Sequence, residues 1–94
     1  MSITQRIDIG DGHALVLVTP DGLTEPTGAQ VEHLTPAGAL CMGWIMLDVP
    51  AVADFPADGK WQVEARDPLT LSPSLLCSSC GDHGFVRDGK WVRA

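Results

Sequence analysis

Cys77-Ser-Ser-Cys80-Gly-Asp-His83-Gly-Phe85-Val-Arg-Asp88-Gly89-Lys-Trp91-Val92 carries both the clearest fold signal and the clearest chemical signal of this chain. Its second half is a hairpin. Asp88-Gly89 lies between short apolar runs and suits a type I′ turn, in which both central residues need positive φ. That register pairs Val86 with Trp91 and Phe85 with Val92. It also sets Arg87 opposite Lys90, a mildly unfavourable like-charge pair. A three-residue loop with a bulge at Gly89 is the alternative. The first half is a knuckle: two cysteines three apart, a glycine with no Cβ to obstruct the turn, and a histidine three residues on. Such a turn aims both sulfurs at one point.

Upstream, short apolar runs are cut by Gly, Pro and Asp, the punctuation of a β protein. Ile3, Ile7 and Ile9 share one side at period two. Gly10-Asp11-Gly12 follows as a turn, then the branched run Ala14 to Val18, so a first hairpin is predicted. Pro20-Asp21-Gly22 reads as a turn and Thr24 to Gln30 as a polar loop. Gln30 to His33 is a short strand. Ala39 to Leu47, the most apolar stretch, is a strand on the strength of Gly43 within it and Pro50 after it. One helical turn is expected between Val49 and Phe55, then a turn over Pro56 to Gly59. Trp61 to Ala65 alternates as a half-buried strand. Pro68 and Pro73 confine Leu69 to Leu71 to a sheet edge. Asp-Gly-Lys-Trp occurs at 58–61 and again at 88–91, in both places as a turn feeding an aromatic into the core. The fold expected is mostly β, a small β-sandwich or open barrel with a C-terminal zinc-knuckle hairpin. One domain spans 1–94, and Trp44, Trp61, Trp91, Phe55 and Phe85 supply the large core side chains.

A chain of 94 residues buries roughly 60–65% of the surface its unfolded form exposes, so a staple adds much to its modest core. Twelve acids against six bases give a net charge of −6, which opposes non-specific nucleic-acid binding. Arg87, Lys90 and Arg93 gather at the C-terminal end, read as a solvated face. No apolar run is long enough to span a membrane. The first residues lack the apolar core of a signal peptide. Three cysteines, an odd count in a chain with no secretion signal, favour reduced thiols over a disulfide framework.

Zinc takes four tetrahedral ligands, and Cys and His are its usual donors. Cys77, Cys80 and His83 supply three. Cys41 is the preferred fourth, since it would tie the apolar strand to the knuckle; His33, His13 and water are the other candidates. As a core thiol, Cys41 would share a side with Ile45 and Leu47. His13, beside a glycine turn, reads as a surface histidine. A redox role for Cys77 and Cys80 lacks its usual βαβ context. Were water the fourth ligand, Asp82 would be the candidate general base of a zinc hydrolase. The zinc-deaminase pattern is absent: Glu32-His33 runs in the wrong order and Leu76 stands where that pattern needs proline.

Leu69-Thr-Leu-Ser-Pro-Ser-Leu-Leu-Cys77, followed by Cys80-Gly-Asp-His-Gly-Phe-Val-Arg-Asp-Gly-Lys-Trp-Val92, resembles a family of small bacteriophage proteins, mainly of actinobacteriophages. Their tail carries Thr-Leu/Phe-Ser-Pro-Ser, a Cys or His cluster, then His-x-Phe-Val-x-Asp-Gly and a base. Members with an upstream Cys-Pro-x-Cys cluster differ from this chain, which has Cys41 alone. The resemblance implies a phage-encoded accessory protein that binds Zn2+. Within it, Ser72-Pro73-Ser74 turns the chain into the knuckle. The function expected is a protein-interaction module, not an enzyme, whose partner is a host or phage protein. The alternative is a virion structural protein, a capsid decoration or head–tail accessory; a zinc hydrolase comes third. Its place is the host cytoplasm or the virion, with neither nucleic acid nor membrane as partner.

Overall fold

The computed structural model describes residues 2–35, 37–56 and 59–94. It is mostly β, as expected, with a curled six-stranded half-barrel sheet and a smaller three-stranded sheet. The larger sheet contains β1 (Ile3–Gly10), β2 (His13–Thr19), β3 (Gly28–Leu34), β4 (Leu40–Leu47), β5 (Lys60–Arg66) and β6 (Leu69–Ser72), in that order. The smaller contains β7 (Leu75–Leu76), β8 (His83–Arg87) and β9 (Lys90–Arg93).

The turn chemistry read from the sequence sets both predicted hairpins. Asp11 and Gly12 join β1 to β2 at φ of 54° and 74°, and the register shifts at Gly10, itself at 82°. Asp88 and Gly89 join β8 to β9 at 51° and 73°, the two-residue type I′ register that opposes Arg87 and Lys90. The like-charge cost is relieved because the Arg87 guanidinium lies over the Phe85 ring, 4.2 Å from its centroid.

β3 begins at Gly28, inside the stretch expected to be a polar loop up to Gln30. The reason is packing. Ala29 is fully buried between Leu17 of β2 and Ile45 of β4, and Gly28 lies under the Trp44 ring. A Cβ on Gly28 would come within 2.2 Å of that ring and 2.9 Å of the Ile45 carbonyl oxygen. The expected helical turn forms as a 3-10 turn over Pro50–Val52. It carries the chain round so that β5 runs parallel to the end of β4, Met46 beside Lys60 and Leu47 beside Trp61. Lys60 is buried there, its Nζ donating to the Val52 carbonyl at 2.7 Å and lying 3.9 Å from Asp48. Of the turn expected over Pro56 to Gly59, residues 57 and 58 lie outside the described residues; Gly59 has φ of 82°. β6 is an edge strand, as its flanking prolines require.

The core forms where the sheets meet. Leu15, Leu17, Ala29, Ile45 and Leu47 of the large sheet pack with Leu69 and Leu71 of β6, Leu75 of β7, Val86 of β8 and Trp91 of β9. Three of the five expected aromatics are not in it: Trp44 is 56% and Phe55 54% exposed, and Phe85 lies on the face of β8 away from the cluster. Strand parity explains Trp44, because Ile45 and Leu47 take the inner face of β4 and leave Leu40, Met42 and Trp44 outward. Trp61 packs against the cluster half-buried, and Phe85 is half-buried.

Gly84 is held by close approach. A Cβ there would meet the Trp91 ring at 2.5 Å and the Val92 carbonyl oxygen at 2.7 Å. Gly84→Ala is therefore expected to lower stability by roughly 1–3 kcal/mol, the usual cost of forcing atoms into a packed site. Gly43→Ala, where a Cβ meets nothing within 4 Å, is the control. Thermal unfolding followed by tryptophan fluorescence compares the two.

Candidate metal centre

Three separate segments deliver the donors. The knuckle from Cys77 to Asp82 is closed by two backbone hydrogen bonds, Cys77 N–H to the Asp82 carbonyl and Gly81 N–H to the Cys77 carbonyl, both 2.8 Å. Gly81 sits at φ of 80°, a conformation that a side chain would strain. β4 supplies Cys41 on its inner face. β3 supplies His33, the direct cross-strand partner of Cys41, so the β3–β4 register alone sets these two side by side.

The result is a cluster in which one donor atom each from His33, Cys41, Cys77 and Cys80 lie within 4.8 Å of one another. Cys41 Sγ is 3.4 Å from Cys77 Sγ, and His33 Nε2 is 3.1 Å from Cys80 Sγ. All three cysteines are free thiols; a disulfide would need about 2.05 Å between sulfurs. His33 is buried, Cys41 and Cys77 are half-buried and Cys80 is exposed. The two neighbouring thiols shift in opposite directions. The hydrogen bond to Cys77, and then desolvation, push the Cys41 thiol up to about 11 from its ordinary 9.0. The backbone N–H of Cys80, and then the Cys41 thiol, draw Cys77 below its ordinary value. The four groups form a cluster that can hold a metal ion.

The structure thus brings together Cys41, Cys77 and Cys80 of the expected set, and the histidine that joins them is His33 rather than His83. His83 opens β8, opposite Leu76. Alternation along β8 buries Gly84 and Val86 and turns His83, Phe85 and Arg87 to the other face. There His83 Nε2 lies 2.7 Å from the Ser74 hydroxyl and its ring stacks on Phe85, so the Ser-Pro-Ser turn is tied to the His83 strand through Ser74.

His13 is buried, not at the surface as its glycine neighbours implied. Its ring stacks on Trp91 at 4.0 Å between centroids and lies beside His33 at 5.4 Å. Its Nδ1 faces the Asp11 carbonyl and its Nε2 faces Asp82 Oδ2, each at 2.6 Å. Asp82 is therefore engaged by a buried imidazole rather than free in solvent. Fold and site together define a small mostly β protein whose two sheets meet at a Cys3His cluster. Family models, curated proteins and solved structures give no match to this chain.

Metal content separates the two histidines. His33→Ala is expected to lose most of the bound metal and His83→Ala to keep it, as read by elemental analysis of the purified variants. The reverse order would return the ligand role to His83.

Proposed function

We propose that the protein is a phage-encoded, zinc-stapled β module that acts by binding another protein. The observation that carries the zinc reading is the donor set itself. Three thiols and one imidazole, gathered from β3, β4 and the knuckle, match a structural zinc site in ligand type and number. Four protein donors fill the tetrahedral positions and leave no place for a reacting water, which favours a structural role over a hydrolytic one. The ion would join the small sheet to the large one, an addition worth about 10–16 kcal/mol of apparent binding energy in small zinc-dependent domains.

The interaction reading is supported by the outer face of β4. Leu40, Met42 and Trp44 are each more than half exposed, and Leu34, the cross-strand partner of Leu40, extends the patch onto β3. β5 reaches β4 only at Met46 and Leu47. Among the described residues, the edge of β4 from Leu40 to Ile45 carries no second strand partner. A cavity of about 240 Å³ opens beside it, lined by Met42, Trp44, Trp61, Leu75 and Trp91 among others. An exposed Trp and Met on a free strand edge beside a hollow are the features of a protein-binding surface. The phage assignment stands on the resemblance of the Leu69 to Val92 segment.

Two measurements test this reading. Elemental analysis should find close to one zinc per chain, falling sharply in Cys41→Ser, and chelation should lower the melting temperature; a metal-free wild-type protein of unchanged stability refutes the zinc reading. For the binding role, Met42→Lys with Trp44→Ala should abolish capture of a partner from phage-infected cells while the far-ultraviolet circular dichroism shows the β fold retained. Equal capture by both proteins removes the β4 face from the proposal.

A further inference from the structure

Beside the Cys3His cluster lies a second group that shares His33 with it and adds His13 and Asp82. Donor atoms of His13, His33 and Asp82 fall within 4.8 Å of one another. His13 and His33 are 5% and 4% exposed. The Nδ1 of His33 is buried with no hydrogen-bond partner among the described residues, while its Nε2 faces Cys80 Sγ. A histidine that gives one nitrogen to a metal must carry a proton on the other, and a buried N–H without an acceptor costs roughly 1–3 kcal/mol. Asp82 is the carboxylate of this group, an oxygen of it lying within 4.8 Å of a His33 ring nitrogen, close enough for a small side-chain shift to bring it to Nδ1. One of its oxygens already holds His13 Nε2, and a carboxylate has capacity for a further donor.

We infer that Asp82 is a positioning residue for the metal, its carboxylate accepting the Nδ1–H of His33 and so fixing the tautomer that turns Nε2 to the ion. The inference rests on the zinc reading above. His13 anchors the carboxylate. Both of its ring nitrogens face oxygen atoms, the Asp11 carbonyl on one side and Asp82 on the other. That ring is fixed by its stack on Trp91. Asp82 also lies two residues beyond Cys80, and its own carbonyl closes the knuckle onto Cys77. Closing the knuckle thus carries the carboxylate to the histidine.

The test uses the zinc-loaded protein with Asp82→Ala and Asp82→Asn. Zinc affinity is measured by competition with a chromophoric chelator, and the His33 Nδ1–H signal by nitrogen-15 NMR. Asp82→Ala should weaken zinc binding about 10–100-fold, the usual cost of removing the group that orients a metal-bound histidine. It should also speed solvent exchange of the His33 Nδ1 proton. Asp82→Asn, which keeps an acceptor oxygen, should recover part of both, and it decides the matter if the alanine variant fails to fold. Unchanged affinity and unchanged Nδ1–H exchange in a zinc-loaded variant overturn the inference and leave the zinc reading intact. Two zinc ions per wild-type chain, one lost with Asp82, also overturn it and make Asp82 a ligand. No zinc in the wild type removes both.

Discussion

The meeting of β3, β4 and the Cys77–Cys80 knuckle is the constraint on which the arrangement of this protein depends. Without it, the small sheet is held by apolar contacts of Leu75, Val86 and Trp91. Two hydrogen bonds from its turn add to these, Gly89 N–H to the Leu69 carbonyl and Asp88 N–H to the Thr70 hydroxyl. The turn bonds attach the β8–β9 end to β6, while Leu75 of β7 and Trp91 of β9 reach the core of the large sheet. The knuckle after β7 meets β3 and β4 through the His33–Cys80 and Cys41–Cys77 contacts and meets β2 through His13 and Asp82. Sulfur atoms at 3.4 Å, beside a buried imidazole, form a cluster that can hold a metal ion.

Local chemistry and long-range register share the work unequally. Asp-Gly turns are written in the sequence, and both hairpins follow from them. The same is true of the edge position of β6, the 3-10 turn and the inner alternation of β4. What could not be read locally was which face each polar residue would occupy once strands had paired. His83 has ideal spacing from Cys80, yet its place at the head of β8 turns it outward. His33 has no local mark of a ligand at all. The one available signal was pairing arithmetic. A β3–β4 hairpin that sets Leu34 opposite Leu40 must also set His33 opposite Cys41, so a reading that accepted Cys41 had the means to prefer His33.

The two Asp-Gly-Lys-Trp segments make the same point from within the chain. In both, a glycine of positive φ leads into a strand, Gly59 at 82° and Gly89 at 73°. Lys60 is then buried against Val52 and Asp48, whereas Lys90 stands in solvent. The tetrapeptide fixes the turn, and the partner strand fixes what becomes of the side chains after it. His13 follows the same rule: its glycine neighbours imply exposure, but β2 opposes it to His33 and the Trp91 ring covers it.

Strand alternation finally couples the proposed metal to the proposed binding face. Cys41 points inward to the cluster, and its immediate neighbours Leu40 and Met42 point outward as two of the exposed apolar groups. The backbone polar groups alternate likewise. Leu47 N–H is spent on Thr27 towards β3, and Asp48 N–H on Trp61 towards β5. By that alternation, the N–H and C=O of Leu40, Met42 and Trp44 face the open edge. One strand therefore presents its thiol to the Cys3His cluster, its apolar side chains to the outside and, among the described residues, an unpaired edge to the neighbouring hollow. On the proposed reading, an ion held by that thiol would set the position of the surface a partner would read, so the staple and the interaction would be one design rather than two.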